Sequence, residues 1–248
     1  MRVDVFFGVQ QLGTADVQGR VVAVIDVLRA STTIAVALAN GAKAVVPFDS
    51  SEDVVNRAKQ FERREVKLAG ERKMHAIPGF DLGNSPREFT RETVEGKTIL
   101  LTTTNGTAAL TAVQGARDVV VASYVNFSAT LAMLRAAARG GTDVSIVCAG
   151  RDRQFSLEDS ACAGRYARYI GQRLTGVTMN DAALASTMID RRYGENLARL
   201  FTESSHGQAL AEAGYSDDLV LCGSVDAYPV LPVYADRQIT KLGPDRER

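Results

Sequence analysis

The sequence predicts an α/β fold, with largely parallel sheet and flanking helices, on three observations. Short apolar runs alternate with helical patterns along the 248-residue chain, as expected of strands joined by crossover helices. The boundaries carry stop and start signals: Asn40-Gly41 and Gly140-Gly141 suit helix C-termini, and Ser51, Ser128, Ser156 and Asn180 suit N-caps. Finally, one segment recurs. Gly19-Arg-Val-Val-Ala-Val-Ile-Asp, followed by Ser-Thr-Thr-Ile-Ala-Val-Ala-Leu and Gly41-Ala-Lys-Ala-Val-Val, parallels Gly96-Lys-Thr-Ile-Leu-Leu-Thr-Thr, then Gly-Thr-Ala-Ala-Leu and Gly115-Ala-Arg-Asp-Val-Val. Each unit reads strand, polar loop, short helix, turn, strand. The chain therefore reads as one domain over 1–248, in which units at about 19–48 and 96–122 would form two related, intertwined α/β halves.

Taken in order, 2–7 alternates apolar and polar residues as a strand should, and 21–25 is the continuous apolar run of a buried strand. After it come a helix over 32–39, a strand over 44–48, a helix over 52–63 and a strand over 66–69. The second unit supplies a strand at 98–102, a helix at 106–113 and a strand at 118–122. A helix over 129–139, a strand over 143–148 and a long helix over 157–174 follow. The remainder is mostly helical, at 181–192, 195–201 and 207–213, with one more strand at 219–222 and a polar tail over 243–248.

Composition excludes several functions. The 29 basic residues balance 29 acidic ones, so there is no polyelectrolyte signal for nucleic acid or a membrane surface. The longest apolar runs fall short of a membrane span, and the N-terminus lacks a secretory leader's apolar region. Three widely spaced cysteines, Cys148, Cys162 and Cys222, form no CxxC and suggest no disulfide framework. A soluble cytoplasmic protein is expected. Twenty-three of the basic residues are Arg, a side chain that grips phosphate, sulfonate or carboxylate bidentately.

Four loops carry the polar chemistry. Asp26-Val-Leu-Arg29-Ala-Ser31-Thr32 lies where a buried strand gives way to a helix, the usual ligand face of an α/β sheet. Asp26 suits a divalent cation or a water, and Arg29 with Ser31 or Thr32 suits an anion. The structural alternative is that Ser31 caps the helix and Arg29 pairs with Asp26. The matching loop of the second unit, with Thr104, Asn105, Gly106 and Thr107, offers uncharged donors for phosphate or sulfonate, or else a plain Asn-Gly turn. Gly79-Phe-Asp81-Leu-Gly-Asn84-Ser85-Pro86 supplies oxygen ligands for a hard cation. Cys148 to Asp159 ends one strand and starts a helix, where Ser156 with Asp159 fits a capping box but leaves Arg151 and Arg153 unexplained.

Familiar templates fail against these loops. G-x-x-x-x-G-K-[ST], G-x-G-x-x-G and G-x-S-x-G are absent, and only His75 and His206 are available to a zinc centre. What survives is oxygen-ligand metal chemistry beside anion-binding loops: a metal-assisted hydrolase, or a binder, of a small phosphorylated acid.

Together the four loops resemble the 2-phosphosulfolactate phosphatase family, and the resemblance runs from Val3 to Gly207. It implies hydrolysis of 2-phospho-3-sulfolactate to 3-sulfolactate and phosphate, with Mg²⁺, in coenzyme M biosynthesis. Read with the loops, it implies Mg²⁺ held by Asp26, Asp81 and either Glu158 or Asp159. Arg29, Ser31, Thr32 and the loop at Thr104, Asn105, Gly106 and Thr107 would cradle phosphate. Arg151 or Arg153 would take the sulfonate or carboxylate. Asp26, Arg29, Asp81 and Glu158 are thus the expected catalytic set, with water as nucleophile and Asp26 or Cys148 as covalent alternatives. His206 would serve as general acid or sit in a helix cap. Another phosphorylated hydroxy acid as substrate, or a non-catalytic anion-binding protein, stays open. So does a homodimer framing the site.

Overall fold

Strands of Val, Ile and Ala with no charge in them must be covered on both faces, and the fold does so. The computed structural model describes residues 1–152, 154–172 and 174–243. The first half runs β1 (Arg2–Phe6), β2 (Val21–Ile25), α1 (Ala30–Ala39), β3 (Ala44–Pro47), α2 (Ser51–Ala58), β4 (Val66–Arg72), β5 (His75–Ala76), α3 (Arg91–Val94), β6 (Thr98–Thr102) and α4 (Gly106–Ala112). The second runs β7 (Asp118–Ala122), α5 (Phe127–Arg139), β8 (Val144–Cys148), α6 (Leu157–Gly171), β9 (Thr178–Met179), α7 (Asp181–Tyr193), α8 (Leu197–Glu203), α9 (Ser205–Glu212), α10 (Ser216–Cys222), β10 (Pro232–Ala235) and β11 (Gln238–Lys241).

The described strands form one mixed sheet in the order β5-β4-β6-β3-β11-β10-β7-β2-β8-β1-β9. Two parallel blocks, β4-β6-β3 and β7-β2-β8-β1, flank an antiparallel β10–β11 hairpin. Three antiparallel steps separate β3 from β7, so the blocks run in opposite senses. Within the repeated segments, β2 pairs with β7 and β3 with β6, so each segment lends a strand to the other's block.

Side chains alternate between two cores. Val21, Ala23 and Ile25 of β2 join Tyr166, Leu134 and Phe201 on one face, while Val22 and Val24 join Ile34, Leu110 and Val113 on the other. On the first face α6 lies against α7 so closely that a Cβ added at Gly164 would stand 1.9 Å from the Ser186 carbonyl oxygen. Backbone cannot yield as a flexible side chain can. Gly164→Ala is therefore expected to cost about 2–3 kcal/mol and to lower Tm by roughly 5–10 °C in a thermal melt. An unchanged melt would contradict this packing.

Four expectations are corrected. Residues 219–222 are not a strand but the end of helix α10, which Ser216, Asp217 and Asp218 open. A short apolar run does not by itself distinguish the two, and the acidic first turn favours helix. The helix expected over 52–63 ends at Ala58. Ser50, not Ser51, caps it by accepting from the Asp53 N–H, and Ser128 lies inside α5, bonded to Asp226. The β10–β11 hairpin is unforeseen because its two-residue turn, Asp236-Arg237, adopts positive φ at both positions without glycine, where Asn-Gly is the usual signal. No helix among the described residues is long and apolar enough to cross a membrane. Residues 244–248 of the polar tail lie outside the described residues.

Candidate active site

The loops that leave β2, β6 and β8 meet the β4–β5 hairpin and the start of α9 around a cavity of about 260 Å³. Asp26, Leu28 and Arg29 line it from the first loop, Asn84 from the Gly79–Pro86 segment, Thr103, Thr104 and Asn105 from the second unit, and Arg151 and Asp152 from the fourth loop. Glu71, Lys73, Met74 and His206 complete the wall. All four polar loops thus converge on one site, within a single chain. Gly106 makes the convergence possible, since a Cβ there would stand 2.7 Å from the Ala30 methyl and 2.9 Å from Asp26 Oδ2.

Asp26 forms the floor. Its backbone N–H donates to Ser31 Oγ at 2.8 Å, and its Oδ1 accepts from the Ala30 N–H at 3.3 Å. Burial pushes its carboxyl up to about 6, and Glu71 and Glu158 push the same way, while His206 and the Ala30 N–H oppose. Asp159 is held by the Val27 and Gly150 N–H groups at 2.8 and 3.2 Å. Burial, then the charges of Asp26 and Glu158, raise its carboxyl well above the usual range. Glu158 is also buried, yet its net shift is downward, because His206 donates charge and a hydrogen bond that outweigh desolvation. The pair spans 3.1 Å from His206 Nδ1 to Glu158 Oε1.

The anion-binding expectations divide. Arg29 lines the cavity but is already anchored: it donates to Asp218 Oδ2 at 2.8 Å and to the Met74 carbonyl at 3.1 Å, and stacks 4.3 Å above the Tyr215 ring. Asp218 also accepts from Ser85 Oγ at 2.6 Å. The pairing of Arg29 with Asp26 is therefore not formed. Ser31 is committed to the Asp26 N–H, while Thr32 donates to the Val27 carbonyl and bonds Ser123. Both hold the loop in shape and are buried. Thr107 is likewise spent on the Thr103 carbonyl. Thr104 gives its N–H to Glu71 Oε1, and Asn105 accepts from the Asp152 N–H. Arg151 reaches the cavity mouth, and Arg153 lies outside the described residues.

Asp81 does not join the site. Its carboxylate caps the Leu68 N–H at 2.8 Å and pairs with Arg63 and, at 3.9 Å, Lys67. Partial burial opposes ionisation, but Arg63 and the Leu68 N–H hold the carboxyl below its ordinary value. Glu71 stands in the cavity instead, with Oε1 on the Thr104 N–H and Oε2 on the Met74 N–H, at 2.7 and 2.9 Å. It splints two loops together. Composition carries no signal for Glu71 or Lys73. Asn84 and His206, which the sequence marks only weakly, prove to be wall residues.

Two buried polar atoms in this wall, Asn84 Oδ1 and Thr103 Oγ1, have no hydrogen-bond partner among the described residues. Buried polar atoms are normally satisfied, so both are available to a ligand. Among the described residues no three His, Cys, Asp or Glu side chains form a ready metal cage. Mg²⁺ does not need one: it is held by one or two carboxylates and completes its shell with water and substrate phosphate. Asp26 with the orphaned Asn84 and Thr103 oxygens fits such a shared site. The Asp26, Asp81, Glu158 and Asp159 set does not: Asp81 does not line the cavity, Glu158 is spent on His206, and Asp159 on the Val27 and Gly150 N–H groups.

Fold and cavity together define an α/β protein with a polar cleft at its strand ends, acidic at the floor and basic at the mouth. The chain belongs to the 2-phosphosulpholactate phosphatase family, whose profile matches residues 7–237. A protein of Symbiobacterium thermophilum named "Probable 2-phosphosulfolactate phosphatase" is 45% identical over 227 residues, covering 92% of this chain and 96% of its own length. Two proteins of the same name, from Caldanaerobacter subterraneus subsp. tengcongensis and a Synechococcus species, are each 39% identical. They cover 88% and 94% of this chain, and 88% and 95% of their own lengths.

Proposed function

We propose that this protein is a cytoplasmic phosphomonoesterase that hydrolyses 2-phospho-3-sulfolactate to 3-sulfolactate and phosphate, with Mg²⁺ as cofactor, on the route to coenzyme M or a related sulfonate. The observation that carries the reading is convergence: four loops far apart in sequence build one cavity with Asp26 at its floor and Arg29 in its wall. The names and coverage of the relatives support the same reaction.

Asp26, with Asn84 and Thr103, would hold Mg²⁺, which offsets negative charge on the phosphoryl oxygens. Arg29 retains N–H donors beyond those on Asp218 and Met74, and these bind and orient the phosphate. A water attacks phosphorus in line and forms the new P–O bond, while the bond to the C2 oxygen of the substrate breaks. His206, fixed at Nδ1 by Glu158, would give the proton on Nε2 to the C2 oxygen as that bond breaks, and the proton that the attacking water loses passes to solvent, from which His206 is reprotonated. Leu28 and Met74 are the apolar groups among the described lining residues.

Phosphate release from racemic 2-phospho-3-sulfolactate, with and without Mg²⁺, tests the reading, with phospholactate and phosphoglycolate run alongside. Metal-dependent release that prefers the sulfonated ester is the expected result. Equal release from all three would retain the phosphatase and reject the substrate. No release by folded protein that still binds phosphate would reject the enzyme.

A further inference from the structure

The tip of the β4–β5 hairpin is built in a way the fold alone does not require. Arg72 pairs with His75 across a two-residue turn, Lys73-Met74, whose φ values are +51° and +72°. Two-residue turns of this hand normally use Asn-Gly, and left-handed backbone is unfavourable for Lys and Met. The site itself holds the turn. Glu71 Oε2 accepts from the Met74 N–H at 2.9 Å, and the Met74 carbonyl accepts from Arg29 at 3.1 Å. The latch therefore runs from the buried Arg29–Asp218 pair to the residue beside Lys73.

What the latch positions is a cation. Among the described cavity-lining residues the basic groups are Arg29, Arg151, Lys73 and His206, the last paired with Glu158. Asp218 lies 2.8 Å from Arg29 and Asp152 lies 3.8 Å from Arg151, whereas no carboxylate lies within 4 Å of Lys73 among the described ion pairs. Lys73 is exposed at the mouth, while Asp26 and Arg29 are buried at the floor and wall. A substrate with its phosphate at the floor directs its farther charge to the mouth. In 2-phospho-3-sulfolactate the carboxylate is on the carbon that bears the phosphate, and the sulfonate is one carbon beyond.

We propose that Lys73, held at the cavity mouth by the latched left-handed turn, is the specificity-determining residue that binds the substrate's sulfonate. This rests on the phosphatase reading above and adds the group that selects the substrate. Lysine suits the task as a mobile point charge with rotatable donors. Because the contact is far from the reacting phosphorus, it acts through binding, and its loss is expected in KM more than in kcat.

The test compares kcat/KM for 2-phospho-3-sulfolactate and 2-phospholactate, which differ only in the sulfonate, in wild type, Lys73→Asn and Lys73→Arg. Asn tolerates the left-handed turn, so the first variant removes charge without unfolding the hairpin. Lys73→Asn is expected to reduce the preference for the sulfonated ester by about 30-fold, as for a lost charge-assisted contact, mostly through KM. Lys73→Arg is expected to restore most of it. Equal losses on both esters, or an unchanged preference, would overturn the assignment while leaving the phosphatase intact. Turnover of neither ester by wild type would overturn the phosphatase reading and this inference with it.

Discussion

Asp26→Asn is expected to lower kcat for phosphate release by on the order of 10³-fold or more, the scale of a lost charge-stabilising contact. The same change is expected to make the protein more stable. Asn keeps the acceptor for the Ala30 N–H but cannot ionise. In the folded protein the Asp26 carboxyl is pushed from 3.8 to about 6, chiefly by burial. Below pH 3.8 folded and unfolded chains both hold the proton, and the stabilising effect of the high value is fully present. As pH rises, the unfolded chain releases its proton first, so stability falls until the folded carboxyl ionises near pH 6. Above that the cost is complete, about 3 kcal/mol for a shift of this size. Denaturant melts in metal-free buffer at pH 4 and pH 8 read it out. Wild type should lose stability between these values from this group, and Asp26→Asn should not. Identical pH dependence in the two proteins would show that Asp26 is not the strained acid the geometry describes. Such a trade of stability for function is common at active sites.

Asp218→Ala is expected to damage both fold and site. The side chains of Arg29 and Asp218 are 3% and 2% exposed, and removing one member of a buried pair leaves the other charge uncompensated, at about 3–5 kcal/mol. Tm is expected to fall by roughly 10 °C or more. Ser85 Oγ loses its acceptor as well. With its anchor gone, the guanidinium no longer lies fixed against the cavity, and kcat/KM falls with stability. Asp218→Asn separates the two effects, because it keeps an acceptor and close to the same shape. It should melt between wild type and Asp218→Ala while still binding phosphate less tightly than wild type. A variant at Asp218 that melts and turns over as wild type does would show that Arg29 is held by something else.

The two experiments differ in how far the sequence anticipates them. Asp26 follows a buried strand and opens a loop ahead of a helix, and that local grammar makes it a candidate site residue beside the plainer reading of a helix cap with an Arg29–Asp26 pair. Asp218 has no such mark. It adjoins a run that the apolar pattern reads as a strand, and its partner is 189 residues away. Asp81 is the reverse case. Its loop composition suggests a cation ligand, yet the carboxylate is spent on Arg63 and the Leu68 N–H. Ser31, Thr32 and Thr107 also have the right chemistry for phosphate, but the backbone took their hydroxyls first. Hydroxyls at strand and helix ends compete between ligand and main chain, and the order of residues does not record which wins.

What the order of residues does settle is whatever depends on neighbours along the chain. The two-sided apolar strands, the helices with their Ser156 and Asn180 caps, the α/β class, and the four loops whose residues line the cleft all follow from it. Packing then chose which side chains in those loops face the ligand and which brace it. It joined Arg29 to Asp218 and Glu158 to His206, brought Glu71 and Lys73 into the wall, and left Asn84 Oδ1 and Thr103 Oγ1 without partners among the described residues. The difference is one of range. Strand, turn and cap preferences act over a few residues, whereas a buried charge is satisfied by whatever the packed chain places within about 3 Å of it, however distant in sequence.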